Sequence, residues 1–223
     1  MKGLTWLSPQ DPVEQFPPVE RALREPSGLL AAGGDLSAER LLAAYRRGIF
    51  PWFSPGEPIL WWSPDPRELL YPAEFKLSRS LAKTLRSGRY TVRRNSAFDQ
   101  VIGQCAAPRA MDSGTWISSA MQAAYVQLHR LGVAHSFETW QDEELVGGLY
   151  GLRVGRVFCG ESMFSRRSDA SKVALQALIS CCGPEGIDVI DCQMPSPHLR
   201  SLGSRPVSRG QFLAHLASPD ATD

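Results

Sequence analysis

The chain lacks the features that mark secreted and membrane proteins. No apolar run reaches the roughly 18 to 20 residues that a helix needs to cross a bilayer, and Met1 to Gln10 contains no basic segment followed by an apolar stretch. The five cysteines are an odd number without a C-x-x-C pair, which disfavours a disulfide framework and a structural zinc site. The sequence therefore predicts a cytoplasmic protein without a signal peptide or a membrane span.

Acidic residues are absent between Lys76 and Arg94, a segment that contains seven basic residues. A helix is predicted from Arg79 to Ser87, with Arg79, Lys83 and Arg86 on one side. The opposite side is predicted to be anchored by Leu77, Leu81 and Leu85. Such a cationic ridge fits the phosphates of a nucleic acid, although an ordinary solvated helix face has the same composition.

Composition predicts a folded protein with two unequal parts. The chain has 223 residues, of which 43% are hydrophobic and 21% charged, and a formal net charge of +1. Most prolines and four of the six tryptophans lie in the first 75 residues. We therefore expect a small irregular domain over residues 1–66 and a larger domain over residues 67–223.

The larger domain is predicted to be α+β. Three strands alternate with short turns between His135 and Phe164 and are followed by a helix from Ala170 to Cys182, a strand from Ile187 to Gln193 and a short helix from His198 to Leu202. Earlier helices are predicted behind the caps Ser37, Ser78 and Ser118, and another contains Phe98, Val101, Ile102 and Cys105 at helical spacing. This order is that of the acyltransferase fold typified by GCN5-related acetyltransferases (GNAT-like), although many α+β domains share it.

The last predicted strand contains polar residues in an apolar setting. Strict alternation places Asp191 and Gln193 on one face, where they are suited to hold a substrate amine. The alternative is that they satisfy each other or the backbone at the end of the strand. Glu161 lies on another predicted strand, which should be the neighbour of the strand that contains Asp191. Gly160-Glu161-Ser162 does not form a serine hydrolase elbow, because Phe164 stands where that motif needs glycine. A nucleophilic role for Cys159 is disfavoured, because no histidine lies near it in the sequence.

Two sequence patterns are missing from the expected positions of a nucleotide or CoA site. The stretch from Ser165 to Lys172 has no glycine, whereas CoA-dependent acyltransferases use a glycine-rich turn there to hold a pyrophosphate. No G-x-x-x-x-G-K-[ST] pattern occurs.

Trp52, Trp116 and Tyr125 are suited to stack a splayed base or to line an apolar pocket, although each alone is more often a core residue.

Many separate stretches together closely resemble the bacterial leucyl/phenylalanyl-tRNA–protein transferase family, over roughly residues 20 to 203. They are Gly28-Leu29-Leu30 through Gly33-Gly34-Asp35-Leu36, Arg47-Gly48-Ile49-Phe50-Pro51-Trp52-Phe53, Trp61-Trp62-Ser63-Pro64-Asp65-Pro66-Arg67, Gly114-Thr115-Trp116-Ile117, Glu144-Leu145-Val146-Gly147-Gly148-Leu149-Tyr150-Gly151, residues 158–165, Ala170-Ser171-Lys172 and Ile190-Asp191-Cys192-Gln193.

The resemblance implies an enzyme that moves leucine or phenylalanine, and methionine less readily, from aminoacyl-tRNA to proteins that begin with arginine or lysine, marking them for degradation by the N-end rule pathway. It implies no metal and no organic cofactor, and we expect a monomer. Its implied substrate site comprises Trp52, Trp116 and Tyr125 around the terminal adenosine and aminoacyl group, with Phe158, Leu149, Tyr45 and Leu178. Its implied amine site comprises Glu161, Asp191 and Gln193, and its implied tRNA contacts are Arg79, Lys83, Arg86 and Arg89.

The implied reaction is aminolysis of an activated ester, so it needs no ATP. The family reading makes Asp191 a base, whereas a reference pKa of about 3.9 favours a positioning role for this side chain. Phe158 and Glu161 cannot share a face of a regular strand, so we predict a bulge or kink near Gly160. Two alternatives remain, a CoA-dependent N-acetyltransferase and an RNA-binding module without activity.

Overall fold

The computed structural model describes residues 3–107 and 116–218 and has a mixed α+β architecture built on two sheets. The strands are β1 (Thr5–Leu7), β2 (Leu29–Gly33), β3 (Phe50–Pro51), β4 (Leu60–Trp62), β5 (Arg67–Leu70), β6 (Thr91–Arg94), β7 (Ala134–Gln141), β8 (Glu144–Val154), β9 (Val157–Ser165), β10 (Val189–Gln193) and β11 (Arg205–Val207). The α-helices are α1 (Ala38–Tyr45), α2 (Arg79–Arg86), α3 (Phe98–Ala106), α4 (Ser119–Arg130), α5 (Ala170–Cys182), α6 (Pro197–Ser201) and α7 (Arg209–Ala217).

The N-terminal part is more regular than the sequence predicts. Its four strands form a sheet in the order β1-β2-β4-β3, in which β1 and β2 are parallel and the other pairs antiparallel. Strands of two to five residues, interrupted by proline and glycine, are too short to show an alternating pattern. The small sheet ends at Trp62, and the large sheet begins at Arg67.

The large sheet has the order β11-β5-β10-β9-β8-β7-β6, and its pairs are antiparallel apart from β9 and β10. Consecutive residues of a strand point to opposite faces. Leu149 accordingly belongs to the core cluster that contains Leu178 of α5, and Tyr150 to the cluster that contains Tyr125 of α4. The second cluster also contains Tyr45 of α1, so the core extends from the small sheet to the large one.

The predicted helices and the three long strands are confirmed. Ser37, Ser78 and Ser118 each accept a hydrogen bond from a first-turn N–H of the helix they cap. The sequence did not predict β5, β6, β11 or α7. Strand β6 is an exposed edge without an apolar side, which explains why its pattern was missed. In the part of the chain that the structure describes, no helix has the length and hydropathy to cross a membrane.

Two bulges interrupt the large sheet at its centre. The β8–β9 register passes from Tyr150 opposite Ser162 to Gly151 opposite Gly160, so Glu161 is the extra residue. This confirms the bulge predicted near Gly160. A Cβ on Gly151 would lie 2.2 Å from the carbonyl oxygen of Cys159, so only glycine fits opposite this bulge.

The second bulge lies in β10. The β10–β5 register skips Cys192, because Asp191 pairs with Leu69 and Gln193 with Glu68. Gln193 has a φ of 58°, in the left-handed region. The strict alternation predicted for Asp191 and Gln193 is therefore wrong, and the two side chains leave the strand toward different surroundings.

Candidate active site

Glu161 lies at the centre of a polar cluster at the bulge of β9. Its Oε1 accepts hydrogen bonds from the Tyr45 hydroxyl at 2.8 Å and from Nε2 of Gln193 at 2.9 Å. Its Oε2 accepts a hydrogen bond from the Tyr125 hydroxyl at 2.9 Å, and the two tyrosine oxygens are 2.5 Å apart. Residues from α1, α4 and β10 thus converge on one carboxyl group.

The surroundings of Glu161 change its proton affinity. Burial raises the pKa of Glu161 to about 7, against the hydrogen bonds from Tyr45, Tyr125 and Gln193, which lower it; the charge of Asp191 raises it further. Burial and the charge of Glu161 raise the pKa values of Tyr45 and Tyr125 well above their ordinary range. Both phenols therefore stay neutral donors near pH 7, while Glu161 titrates there.

An apolar cavity of about 490 Å³ lies between α5 and strands β8, β9 and β10. Leu149, Phe158 and Leu178 line it as the sequence predicts. Its other apolar walls are Leu70, Trp116, Met163, Leu175, Ile190 and Leu199. Glu161 and Gln193 contribute polar atoms, so the cavity fits an apolar side chain with a polar group at one end.

A second cavity of about 230 Å³, here called the tryptophan cavity, lies beside the first. It is lined by Phe50, Pro51, Trp52, Trp116, Glu161, Gln193 and Met194. Trp52 is 40% exposed and packs on Trp62 with the ring centroids 5.6 Å apart. Trp116, Glu161 and Gln193 line both cavities, so two separate ligand groups can meet at Glu161.

Asp191 is fully buried and lines neither cavity. Its carboxylate accepts hydrogen bonds from Nε and Nη2 of Arg67 at 2.8 and 2.7 Å, and its Oδ1 accepts the backbone N–H of Gln193 at 2.9 Å. Of the two acids implied to hold the amine, Glu161 opens onto both cavities and Asp191 onto neither. The bulge at Cys192 turns Gln193 toward Glu161 and leaves Asp191 beneath the strand, against Arg67.

Comparison with known proteins gives the family. A family model described as leucyl/phenylalanyl-tRNA protein transferase matches residues 69–217, and the model of the corresponding N-terminal domain matches residues 34–65. The chain belongs to this family. It is therefore an enzyme, an aminoacyltransferase. Relatives named leucyl/phenylalanyl-tRNA–protein transferase come from Chromobacterium violaceum, 60% identical over 96% of this chain and 90% of the relative, and Ectopseudomonas mendocina, 59% identical over 96% and 93%.

Solved structures similar to the transferase are more distant. An aminoglycoside acetyltransferase from an uncultured soil sample has a TM-score of 0.40 and 14% identity, covering 59% of this chain and 90% of that one. A GCN5-related N-acetyltransferase from Kribbella flavida has a TM-score of 0.36 and 12% identity, covering 74% of this chain and 59% of that one.

Tyr45 and Tyr125 of the transferase do not lie where the sequence reading places them. Both are buried and line neither cavity. Their rings pack in the core between α1, α4 and the large sheet, and their hydroxyls donate to Glu161 from the core side. Direct stacking of an adenine on Tyr125 is therefore excluded in this structure, because no face of its ring is exposed.

The basic segment of the transferase is exposed, but it is anchored less firmly than predicted. Leu81 alone of the three leucines is buried, while Leu77 is 48% and Leu85 36% exposed. Arg79, Lys83 and Arg86 face solvent and form no ion pair within residues 3–107 and 116–218. Arg89 lies over the ring of Tyr90 and donates to the carbonyl oxygen of Ser168 at 3.1 Å.

The sequence did not predict every residue of the site. Arg67 is the most important, because it neutralises the buried Asp191. Its guanidinium also lies between the rings of Phe50 and Phe212, 4.7 and 4.5 Å from their centroids. Arg67 and Glu68 begin strand β5, and nothing in the sequence indicates that these two charged side chains are buried. Gly114 and Thr115, which belong to the motif that ends in Trp116, lie outside the described residues.

Proposed function

We propose that this transferase moves leucine or phenylalanine, and methionine less readily, from aminoacyl-tRNA to the α-amine of proteins that begin with arginine or lysine. The product would be a protein marked for degradation by the N-end rule pathway, made in the cytoplasm by a monomeric enzyme. The observation that carries the proposal is that the apolar cavity and the tryptophan cavity meet at Glu161 and Gln193. The names of the relatives support the donor.

The apolar cavity takes the side chain of the donor amino acid. Leu149, Phe158 and Leu178 provide walls without charge, and a volume of about 490 Å³ accommodates either a branched aliphatic chain or a phenyl ring. Discrimination by shape is modest, because one methylene in such a pocket is worth only about 1–3 kcal/mol. Methionine is therefore a poorer but accepted donor.

The tryptophan cavity takes the 3′-terminal adenosine of the tRNA. Trp52 presents an exposed ring, and Trp116 borders both cavities. Stacking of a base on such a ring is worth roughly 1–3 kcal/mol and does not depend on a particular sequence. With the adenosine here and the side chain in the apolar cavity, the ester that joins them would lie at the junction, next to Glu161.

Glu161 and Gln193 hold the acceptor amine. Nε2 of Gln193 donates to Glu161, whereas Oε1 of Gln193 accepts no hydrogen bond within the described ranges 3–107 and 116–218 and is available to the amine. Asp191 acts indirectly, because it fixes the backbone of Gln193 rather than the amine. The negative field that favours an arginine or lysine at the acceptor terminus then comes mainly from Glu161, since Arg67 neutralises Asp191.

Arg79, Lys83, Arg86 and Arg89 bind the acceptor stem. The first three lie exposed on α2, where lysine and arginine can follow a phosphate backbone without reading its bases. Phosphate contacts of this kind position the tRNA, while the cavities select the amino acid.

The chemistry requires little activation. The α-amine has a reference pKa of about 7.7 to 8.0, so an appreciable fraction is neutral near pH 7. Holding this amine against the ester can contribute about 7–11 kcal/mol. The C–N bond forms, the C–O bond to the ribose breaks, and the uncharged tRNA leaves.

The test uses radiolabelled leucyl-tRNA and a peptide that begins with arginine. We expect label on the peptide, loss of the product when ribonuclease is added first, and no product with the same peptide acetylated at its N-terminus. Transfer from acetyl-CoA that resists ribonuclease would indicate an N-acetyltransferase instead. Binding of tRNA without any labelled peptide would indicate an RNA-binding module.

A further inference from the structure

Glu161, Tyr45 and Tyr125 form a closed ring of three contacts. The distances around it are 2.8 Å from Tyr45 to Oε1, 2.9 Å from Tyr125 to Oε2 and 2.5 Å between the two hydroxyl oxygens. All three lie in the range of O–H···O hydrogen bonds. Each tyrosine hydroxyl carries one proton, so the two tyrosines can fill only two of the three contacts. The third contact needs a proton on Glu161.

The ring leaves Glu161 one open acceptor position. A carboxylate has about four lone-pair sites. Tyr45 and Gln193 occupy both sites of Oε1, and Tyr125 occupies one site of Oε2. Glu161 lines the apolar cavity and the tryptophan cavity, so a ligand at their junction can reach the remaining site of Oε2.

The two acids of the site differ in their partners. Asp191 is paired with Arg67. Glu161 has no ion pair among residues 3–107 and 116–218, and the groups that face it are the neutral hydroxyls of Tyr45 and Tyr125 and the amide of Gln193. Tyr150 of β8, Cys159 on the same strand and Asp191 of β10 are its other titratable neighbours. Two carboxyls whose surroundings differ in this way are suited to different roles, one fixed and one exchanging a proton.

We propose that the ring of Glu161, Tyr45 and Tyr125 takes up the proton that the attacking amine loses and returns it to the ribose oxygen that leaves. This inference rests on the proposed aminoacyl transfer and names its proton acceptor. Glu161 is the catalytic residue, because its Oε2 touches the amine. Tyr45 and Tyr125 are positioning residues that act through it.

The step balances within the site. The amine nitrogen forms a bond to the ester carbon and loses one proton to Oε2. Glu161 is then neutral, and together with the hydroxyls of Tyr45 and Tyr125 it holds three protons. As the bond between the ester carbon and the ribose oxygen breaks, Oε2 releases the proton to that oxygen. Glu161 is charged again, and no metal, oxidant or other reactant is consumed.

The protonation of Glu161 can be observed without any substrate. Infrared difference spectra between the wild type and Glu161→Gln should contain a protonated carboxyl band at pH 5.5 that disappears as the pH rises through neutrality. In Tyr45→Phe and Tyr125→Phe the pH at which this band disappears should be higher, because each lost hydroxyl removes a donor to the charged carboxylate. Tyr71→Phe, which removes a hydroxyl bonded to His215 instead, is the matched control and should leave it unchanged.

The kinetic readout is the pH dependence of kcat/KM with leucyl-tRNA and an arginine-starting peptide. Below neutral pH the wild type must lose a proton from both Glu161 and the amine, so log kcat/KM should rise with a slope approaching two. Glu161→Gln should retain only the slope of one from the amine and lose roughly 10²- to 10⁴-fold in rate. Melting temperature is measured for each variant, so that a loss of folding is recognised.

The outcomes separate the two proposals. Absence of labelled peptide with the wild type overturns the proposed function, and the role of the ring with it. Labelled peptide with a slope of one in the wild type, or an unchanged slope in Glu161→Gln, overturns the ring as proton acceptor and leaves the transferase intact. A carboxyl band that is absent at pH 5.5 also overturns the ring.

Discussion

Arg67 and Asp191 are joined by two hydrogen bonds of 2.8 and 2.7 Å, although they lie 124 positions apart in the chain. Both side chains are almost completely buried. Through this pair, β5 is connected to Phe50 of the small sheet, to Phe212 of α7 and to the backbone of Gln193. The pair therefore holds the polar end of the site together, whereas Glu161 opens onto both cavities and has no ion pair among residues 3–107 and 116–218.

Asp191→Asn should destabilise the protein, slow transfer and move the acid limb of the pH–rate profile to lower pH, because the charge of Asp191 raises the pKa of Glu161. The change leaves the buried guanidinium of Arg67 without its charge partner, which costs about 3–5 kcal/mol of unfolding free energy. The measurements are guanidinium chloride denaturation and kcat/KM against pH. Arg93→Lys, which alters the exposed pair with Glu143, is the control and should change stability by less than about 1 kcal/mol. A normally stable Asp191→Asn in which the acid limb loses one unit of slope would show that Asp191 itself is the base.

Stability should depend on pH through Glu161. Below its unfolded pKa of 4.5 the folded and unfolded states both hold the proton; between 4.5 and about 7 only the folded state does. The stabilising contribution is therefore complete in acid and is lost as the pH rises through about 7.

Glu161→Gln cannot undergo this loss. Its unfolding free energy relative to the wild type should increase between pH 5 and pH 8, by roughly 1–3 kcal/mol because the carboxyl is half-buried. Denaturant titrations at the two pH values measure the difference. Glu144→Gln, at an exposed carboxyl, should show no such trend, and a trend of the opposite sign in Glu161→Gln would contradict the raised pKa.

Leu178→Phe should shift donor selectivity toward leucine. The larger ring would fill part of the apolar cavity, so a phenylalanyl donor loses more binding than a leucyl donor. We expect the ratio of kcat/KM values for phenylalanyl- and leucyl-tRNA to fall roughly 10-fold or more. Leu131→Phe, at an exposed site at the end of α4, should leave the ratio unchanged. Equal losses for both donors would place the amino acid elsewhere.

The triple variant Arg79→Gln, Lys83→Gln and Arg86→Gln should weaken tRNA binding at low salt. Each lost phosphate contact reduces the slope of log affinity against log salt by about 1. Binding of charged tRNA between 50 and 200 mM salt is the measurement, since affinity changes strongly over about this range. Arg205→Gln, at an arginine paired with Glu74 on the last strand of the sheet, is the control. An unchanged slope in the triple variant would mean that α2 does not contact the tRNA.

Local structure was largely predictable from the sequence. Caps such as Ser37 and Ser118 and alternating strands from Ala134 to Ser165 depend on near neighbours in the chain. The strands of the small sheet escaped prediction, since segments of two to five residues have too few positions to show a period. The anchoring of α2 by three leucines was wrong, because periodicity shows which residues share a side but not whether another element covers it.

The sequence by itself determined the family, the α+β class, the apolar residues Leu149, Phe158 and Leu178 of the cavity and an irregular strand near Gly160. Only the tertiary structure decided that Tyr45 and Tyr125 lie beneath Glu161 and that Asp191 is neutralised by Arg67. These contacts join residues 80 and 124 positions apart. Separations of that size are set by the packing of whole elements, and the resulting burial, which no local pattern encodes, fixes which acid keeps its charge and which holds a proton.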